Sequence, residues 1–427
     1  MSTERGWRRQ ILGAACLGLL WGGALSAQAA AAPAGELHGR IERHDGLVVL
    51  RLWGDPGQRG YAHGRLLHRE FAAVALPEFE QRFARRAPLL AQARAAVKRL
   101  IEYPDEYLRE LEGLWQGLAD SGIELRLPQL DRSFDFTDLL VANALDVFGL
   151  MGCSGFTVWG EQADGGGVLT ARNFDWPLTG RHLLEQTILI VSHLPGGRAV
   201  AAVSWPGYIG AVTGVSSDGI AAFLHVGSAA ITYTPQPSSW PSAVAVRELL
   251  AHGASEPAAA WARAKDLLGN TSPPAGFLTH VVLPVVPVDG APAVVFETDA
   301  KSCVAGVAGP GPVVVTNHFR TRSDGRPASG DSVDRQARLE KELATCFDLE
   351  DRRVSIEEAW QILASVDRGG GHAFGTLHSL VFRHEPWCFE LRIGTVGGNG
   401  IVAAPVSDRR YALSRRQVFA DGETPGR

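Results

Sequence analysis

The chain has 427 residues, 45% of them apolar, with a formal charge of −5 from 41 Lys and Arg against 46 Asp and Glu. The two signs are interspersed, which excludes a basic nucleic-acid-binding face, and no second long apolar run follows the N terminus, which excludes a polytopic membrane protein. Five Cys are too few for a disulfide scaffold, leaving a soluble enzyme or a large binding domain.

Residues 1–10 carry Arg5, Arg8 and Arg9, residues 11–27 are apolar and uncharged, and Ala27-Gln28-Ala29 offers a small-x-small cleavage site. Residues 1–29 therefore read as a secretory signal, and Arg8-Arg9 also fits a twin-arginine signal. An exported protein, periplasmic or secreted, is expected, with no membrane span once the signal is removed. Four cysteines stay: Cys153, Cys303, Cys346 and Cys388.

From 60 to 150 the apolar spacing is helical, as in Tyr107, Leu111 and Trp115 at intervals of four, and Asp135 and Asp138 supply capping residues for the last helix. After Gly152 the texture changes. Short β-rich runs at 156–159, 168–173, 187–193, 199–205, 211–215 and 220–226 alternate with turn signals such as Asp164-Gly165-Gly166 and Ser217-Asp218-Gly219. A helical stretch over 242–268 precedes strands at 278–286, 294–297 and 313–316. Helices around 334–346 and 356–366 and two strands at 376–382 and 388–393 follow. The expected class is α+β: two antiparallel sheets packed together with helices outside, an αββα sandwich with an N-terminal helical segment.

Several chemistries have no motif here. There is no His-Glu-x-x-His, no Cys-x-x-Cys, no phosphate-cradling Gly-rich loop with Lys and no Gly-x-Ser-x-Gly elbow. No metal or cofactor is called for. The informative junction is Gly152-Cys153-Ser154-Gly155-Phe156, where the helical region gives way to the β region. A cysteine in an exported protein is by default a disulfide partner or a small core residue. Here Gly152 leaves its carbonyl open to the thiol. The hairpin turned at Asp164-Gly165-Gly166-Gly167 can also bring Arg172 or Asp175 beside Cys153, where a cation lowers a thiol pKa and a carboxylate holds an α-amino group.

Gly-Cys-Ser followed by Asp-Gly-Gly and Arg172-Asn173-Phe174-Asp175-Trp176 resembles the N-terminal-nucleophile (Ntn) hydrolases, in particular the autoproteolytic acyl-coenzyme A:isopenicillin N acyltransferase-like family, with choloylglycine hydrolases as more distant relatives. The 60–67 segment, Thr316-Asn317-His318-Phe319 and the 376–382 segment match that family in order, so the resemblance spans roughly 60 to 393. It implies the Ntn-hydrolase fold and cleavage between Gly152 and Cys153. A helical segment (30–152) and a catalytic segment (153–427) would stay associated as two processed chains. Cys153 would be the nucleophile and its freed α-amine the general base, since that amine has a pKa of about 7.7–8.0.

By the same resemblance, Arg172 biases Cys153 toward thiolate, Asp175 fixes the amine, Asn317 donates to the oxyanion, and Arg335 corresponds to a second arginine of the choloylglycine branch. Because i and i+3 on a strand face opposite sides, Arg172 and Asp175 both reach the site only if Asp175 lies past the strand end or at a bulge. Asn317 could instead cap a strand end, and Arg335 could be an exposed helix charge. His225 aligns with a second oxyanion Asn of the choloylglycine branch, yet a hydrogen-bonded structural role is favoured for it, and His63 and His378 read as packing or backbone-bonding residues. Phe174, Trp176 and His225 are the substrate-binding candidates. Two of Cys303, Cys346 and Cys388 could pair.

The expected activity is therefore that of an exported, self-processing amidohydrolase or acyltransferase working through an acyl-thioester on Cys153, with a small-molecule acyl amide or ester as partner and no nucleic acid. A phospholipase-B-like lipid hydrolase, a non-enzymatic binding protein keeping the fold, and an unrelated Cys–His enzyme are the alternatives.

Overall fold

The computed structural model describes residues 37–420 apart from 149–150, 178–181, 228–238, 255, 288–289, 307–310, 350–351, 370–373 and 398–399, so the segment read as a secretory signal lies outside the described residues. Its heart is a pair of sheets. One has nine strands in the order Gly39–His44, Leu47–Leu52, Ile188–His193, Ala199–Ser204, Thr213–Ser216, Ala221–Val226, Phe277–Val282, Ala293–Thr298 and Cys303–Ala305. The other has six, in the order Val313–Val315, Gly152–Trp159, Val168–Pro177, Phe374–Arg383, Cys388–Ile393 and Arg410–Ala412.

Strand alternation sorts the side chains into layers. Ala201, Val203, Val215 and Phe223 of the larger sheet meet Leu380, Phe382, Phe389 and Leu391 of the smaller one in a shared core. The opposite face of the larger sheet, with Val200, Ala202, Ala222 and Leu224, packs under the helices Ser242–His252 and Pro257–Gly269. On the far side of the smaller sheet, Phe156, Val158, Leu169 and Ala171 pack against Leu339, Leu343, Trp360 and Leu363 of the helices Gly330–Asp348 and Ile356–Ala364. The αββα layering follows from those three cores, each large side chain contributing about 1.5–3 kcal/mol by its burial.

Three features depart from the sequence reading. The stretch 39–52 is a hairpin, turned at Asp45 and Gly46, both with positive φ (50° and 92°). Its second strand pairs parallel to Ile188–His193, so the larger sheet is not wholly antiparallel. The helical stretch expected over 242–268 is present as two helices, Ser242–His252 and Pro257–Gly269. The described cysteines Cys153, Cys303, Cys346 and Cys388 are all free thiols, so no disulfide forms among them; Cys346 and Cys388 are packed in one apolar core instead.

The N-terminal helices Pro56–Leu66, His68–Phe83, Ala87–Arg99, Asp105–Asp120 and Phe136–Asn143 form the expected helical region, the last opened by a capping box between Asp135 and Asp138. The first and fourth cross at backbone contact. A Cβ on Gly60 would sit 1.9 Å from the Glu110 carbonyl oxygen, and one on Gly113 would sit 2.2 Å from that of Gly57. Beside this crossing Glu110 is buried between Arg59 (3.4 Å) and Arg247 (2.8 Å). Burial opposes its ionisation, but the two guanidiniums outweigh it and hold the carboxyl below its ordinary range.

Candidate active site

The hairpin of the smaller sheet fixes the centre. Its register sets Cys153 opposite Phe174, Gly155 opposite Arg172 and Gly152 opposite Asp175. Cys153 and Arg172 point between the sheets. Gly155 keeps that side open, since a Cβ there would lie 3.2 Å from the Arg172 Cβ and 2.7 Å from the Ala171 carbonyl oxygen. The fully buried Arg172 guanidinium donates from Nη2 to Cys153 Sγ (2.9 Å) and from Nη1 to Thr213 Oγ1 (2.8 Å). It also donates to the Val212 carbonyl and, at 3.3 Å, to the Leu224 carbonyl. Buried cations ordinarily have a carboxylate partner; this one contacts a thiol, a hydroxyl and backbone carbonyls instead.

Arg172 pulls the Cys153 thiol toward thiolate, as the sequence led one to expect, but burial opposes it. Complete burial pushes the Cys153 thiol up to about 11, outweighing the opposing pull of Arg172. The same burial lowers the Arg172 pKa.

Asp175 corrects the geometry expected for the pair. It lies inside the strand Val168–Pro177, and the local irregularity is on the neighbouring strand, between Thr376 and His378. Arg172 and Asp175 thus occupy opposite faces, and they act on different atoms. Asp175 accepts from Thr376 Oγ1 (2.7 Å) and pairs with Arg368 Nε (3.1 Å). Its carboxylate is pressed against Gly152: a Cβ there would meet Asp175 Cβ at 3.2 Å and Oδ2 at 3.3 Å. The carboxylate therefore attends the Gly152–Cys153 junction, while Arg172 attends the sulfur.

Asn317 and Arg335 complete the junction. Asn317 Oδ1 accepts from the Cys153 backbone N–H (2.9 Å) and from Arg335 Nη2 (2.8 Å), while its Nδ2 donates to the Val226 carbonyl (3.0 Å). Two donors converging on Oδ1 fix the amide orientation. Arg335 also donates from Nη1 to the Cys153 carbonyl at 2.5 Å, so it is a buried junction residue and not an exposed helix charge. Two residues without a sequence motif tie this side together: Asp331 accepts from Arg335 (3.1 Å) and from Arg368, which in turn holds Asp175. Arg335 and Asp331 are one helical turn apart, the only sequence signal that could have suggested their pairing.

His225 is fully buried, and among the described residues neither ring nitrogen has a hydrogen-bond partner, so the satisfied structural role expected for it is not what the fold provides. Burial and the nearby Arg172 keep it neutral, well below its ordinary pKa. Its ring lies 6.3 Å from that of His280, whose Nε2 meets Thr157 Oγ1 at 3.0 Å. His378 stacks on Phe174 (4.9 Å) and reaches Thr213 Oγ1 (2.8 Å), and His63 Nε2 accepts from the Gly207 N–H (2.9 Å). Burial lowers the His63 pKa to about 4, which suits a neutral acceptor.

Phe174 and Trp176 line an apolar cavity of about 100 Å³ that also takes Met151, Trp205 and Tyr208, with Phe71 and Phe79 from the N-terminal helices; His225 does not line it. Arg82 lies over the Trp176 ring at 5.3 Å and also lines this cavity. Among the described residues no cluster of three or more His, Cys, Asp or Glu side chains is placed to hold a metal, and no helix is long and apolar enough to cross a membrane.

No protein-family model matches the sequence. Protein dcd1B of Dictyostelium discoideum is 30% identical over 207 residues, which are 43% of this chain and 38% of that protein. An uncharacterized protein of Archaeoglobus fulgidus is 24% identical over 204 residues, 42% of this chain and 32% of that one. The chain matches only about a third of the length of these curated relatives. Among solved structures it is similar to an N-acylethanolamine-hydrolyzing acid amidase ortholog of Caenorhabditis elegans (16% identity, TM-score 0.37, 54% of this chain and 92% of that one). It is also similar to a variant of conjugated bile acid hydrolase from Clostridium perfringens (11%, 0.41, 63% and 99%) and to penicillin V acylase from Agrobacterium tumefaciens (14%, 0.38, 58% and 84%).

Proposed function

We propose that this chain is an exported cysteine amidohydrolase of the N-terminal-nucleophile type that first cuts its own Gly152–Cys153 bond. The observation that carries the reading is the division of labour at that bond. Arg172 donates to the sulfur at 2.9 Å, Asp175 presses on Gly152, and Asn317 holds the Cys153 nitrogen at 2.9 Å.

In the first reaction the Cys153 thiol adds to the Gly152 carbonyl carbon. The thiol proton passes to the leaving nitrogen, the C–N bond breaks, and a thioester joins the Gly152 acyl group to Sγ. Water then hydrolyses the thioester, leaving a Gly152 carboxylate and a free thiol. The new Cys153 α-amine stays between Asn317 Oδ1 and the Asp175 side of the junction and serves as general base, within reach of its own sulfur.

An acyl amide entering from the apolar cavity repeats the chemistry. Sγ attacks the carbonyl as its proton moves to the amine, the proton is passed on to the leaving amine, and water releases the acid. Arg172 supports the thiolate, and Asn317 Nδ2, directed at the Val226 carbonyl in the uncut chain, supplies an oxyanion donor. The aromatic lining favours an acyl or aryl group, and export favours water over an acyl-coenzyme A partner.

Denaturing electrophoresis with N-terminal sequencing tests the central step. The expected result is a larger fragment beginning Cys-Ser-Gly-Phe, absent in Cys153→Ala. An intact wild-type chain that hydrolyses amides would refute self-processing, and an intact inactive chain would point to a binding protein.

A further inference from the structure

The apolar cavity beside Cys153 carries one feature its acyl-binding role does not explain. Asp146, on the short turn Leu145–Phe148, is 2% exposed and lines the cavity together with Tyr208, Trp205 and Leu183. One of its oxygens is used: Oδ2 accepts from the Ala243 N–H at 3.0 Å, capping a helix whose own N-cap residue, Pro241, has no side-chain hydrogen bond to give. The other, Oδ1, has no partner at hydrogen-bonding distance and angle among the described residues; the Tyr208 hydroxyl and the Ser242 N–H act on this carboxyl from farther off. A buried carboxylate oxygen left without a donor costs free energy, so a residue serving only as a cap would do as well as Asn or Ser at lower cost.

We propose that Asp146 is a specificity-determining residue, and that the acyl group accepted here carries a hydrogen-bond donor, a hydroxyl or an ammonium, that docks on Asp146 Oδ1 inside the apolar cavity. The inference rests on the amidohydrolase reading for its role in turnover. The surroundings select this chemistry. The aromatic walls take a hydrocarbon or aryl body, and a donor on that body meets a desolvated acceptor, where charge-assisted bonds are strongest. A purely apolar acyl group leaves Oδ1 unpaired, which is the arrangement by which a polar site rejects an isostere lacking the polar group. Tyr208, whose hydroxyl acts on the same carboxyl, helps orient it.

Saturation-transfer NMR on the purified protein reads this without turnover, using 1-hexanol, hexylammonium and hexyl methyl ether as probes. The expected result is that the alcohol, the ammonium or both bind roughly tenfold to a hundredfold more tightly than the ether, as one added charge-assisted bond implies. Asp146→Asn keeps an oxygen for Ala243 and replaces the open acceptor by a donor, which a hydroxyl or an ether oxygen can meet and an ammonium cannot, so the preference over the ether is expected to vanish for the alcohol and to reverse for hexylammonium. A mere capping role would leave that order unchanged. Equal binding of all three probes to the wild-type chain overturns the proposal with no variant needed, as does an unchanged preference in a folded Asp146→Asn. A chain that ranks the probes as expected but hydrolyses no amide sinks the amidohydrolase reading alone; an active chain that does not rank them sinks this inference alone.

Discussion

The buried thiol should make the proposed self-cleavage steeply dependent on pH. With Cys153 pushed up to about 11, roughly one thiol in 10⁴ is ionised at pH 7 and about one in 100 at pH 9. A raised thiol pKa means that the nucleophilic form is gained as pH rises, so the cutting rate should climb about tenfold per unit across this window without a plateau. Arg172 is what keeps the value from going higher. Replacing it in Arg172→Gln removes the charged 2.9 Å donor to sulfur, a bond worth about 1.5–3 kcal/mol, and should slow cutting about 10- to 100-fold at any one pH. The sequence supplies a convenient assay. Its two methionines are Met1 and Met151, so a chain synthesised in a brief cell-free pulse with radiolabelled methionine carries all its label on the N-terminal side of the cut. Transfer to buffers from pH 6.5 to 9.5 and electrophoresis at intervals would follow the label from the full chain to the small fragment. A rate that is flat between pH 7 and 9, or an Arg172→Gln chain that cuts as fast as wild type, would refute the reasoning.

Three further outcomes follow from the packing. Gly152→Val forces a branched side chain against Asp175 and should slow the cut at least about 100-fold in the same assay, as expected when reacting groups are displaced by a fraction of an ångström to an ångström. Gly113→Ala puts a methyl 2.2 Å from the Gly57 carbonyl oxygen and should destabilise the chain by about 1–3 kcal/mol in urea unfolding, without changing the cleavage site. Asp331→Asn weakens the acceptor shared by Arg335 and Arg368 and should lower kcat about tenfold with KM and Tm little changed, the loss of about 1.5 kcal/mol from one charged hydrogen bond; a loss of activity that tracks a fall in Tm and is recovered on cooling would mark a structural role instead.

Much of this site is local and was legible. The turn at Asp164–Gly167 and the alternation of strand faces are enough to bring Arg172 beside Cys153, and the parity rule correctly posed the difficulty with Asp175. The resolution was not legible, because it depends on which atom each group serves: the strand is straight there, and the carboxylate acts from the opposite face on Gly152. Arg368 and Asp331 were missed because their pairing joins the first turn of the helix Gly330–Asp348 to the segment that follows the helix Ile356–Ala364, 37 residues on, with no fixed spacing in the chain to announce it. The hairpin at 39–52 did carry a signal, Asp45-Gly46 between β-branched and polar residues, but it sits ahead of a long helical region whose periodicity dominates. Its parallel pairing with Ile188–His193 is a long-range choice that no local pattern encodes.

That parallel pair has a consequence for the processed protein. The strand Leu47–Leu52 lies between its own hairpin partner and a strand from beyond Cys153, so the two products of the proposed cleavage would be woven into one sheet. Before the cut, an unfolded molecule recovers by a unimolecular search. Afterwards it must find its other half by diffusion, and recovery becomes second order in protein. Cleavage would thus act as a one-way ratchet on renaturation: the native state keeps its contacts, but dilute processed protein that has once melted does not return, and its working lifetime is set by the unfolding rate alone.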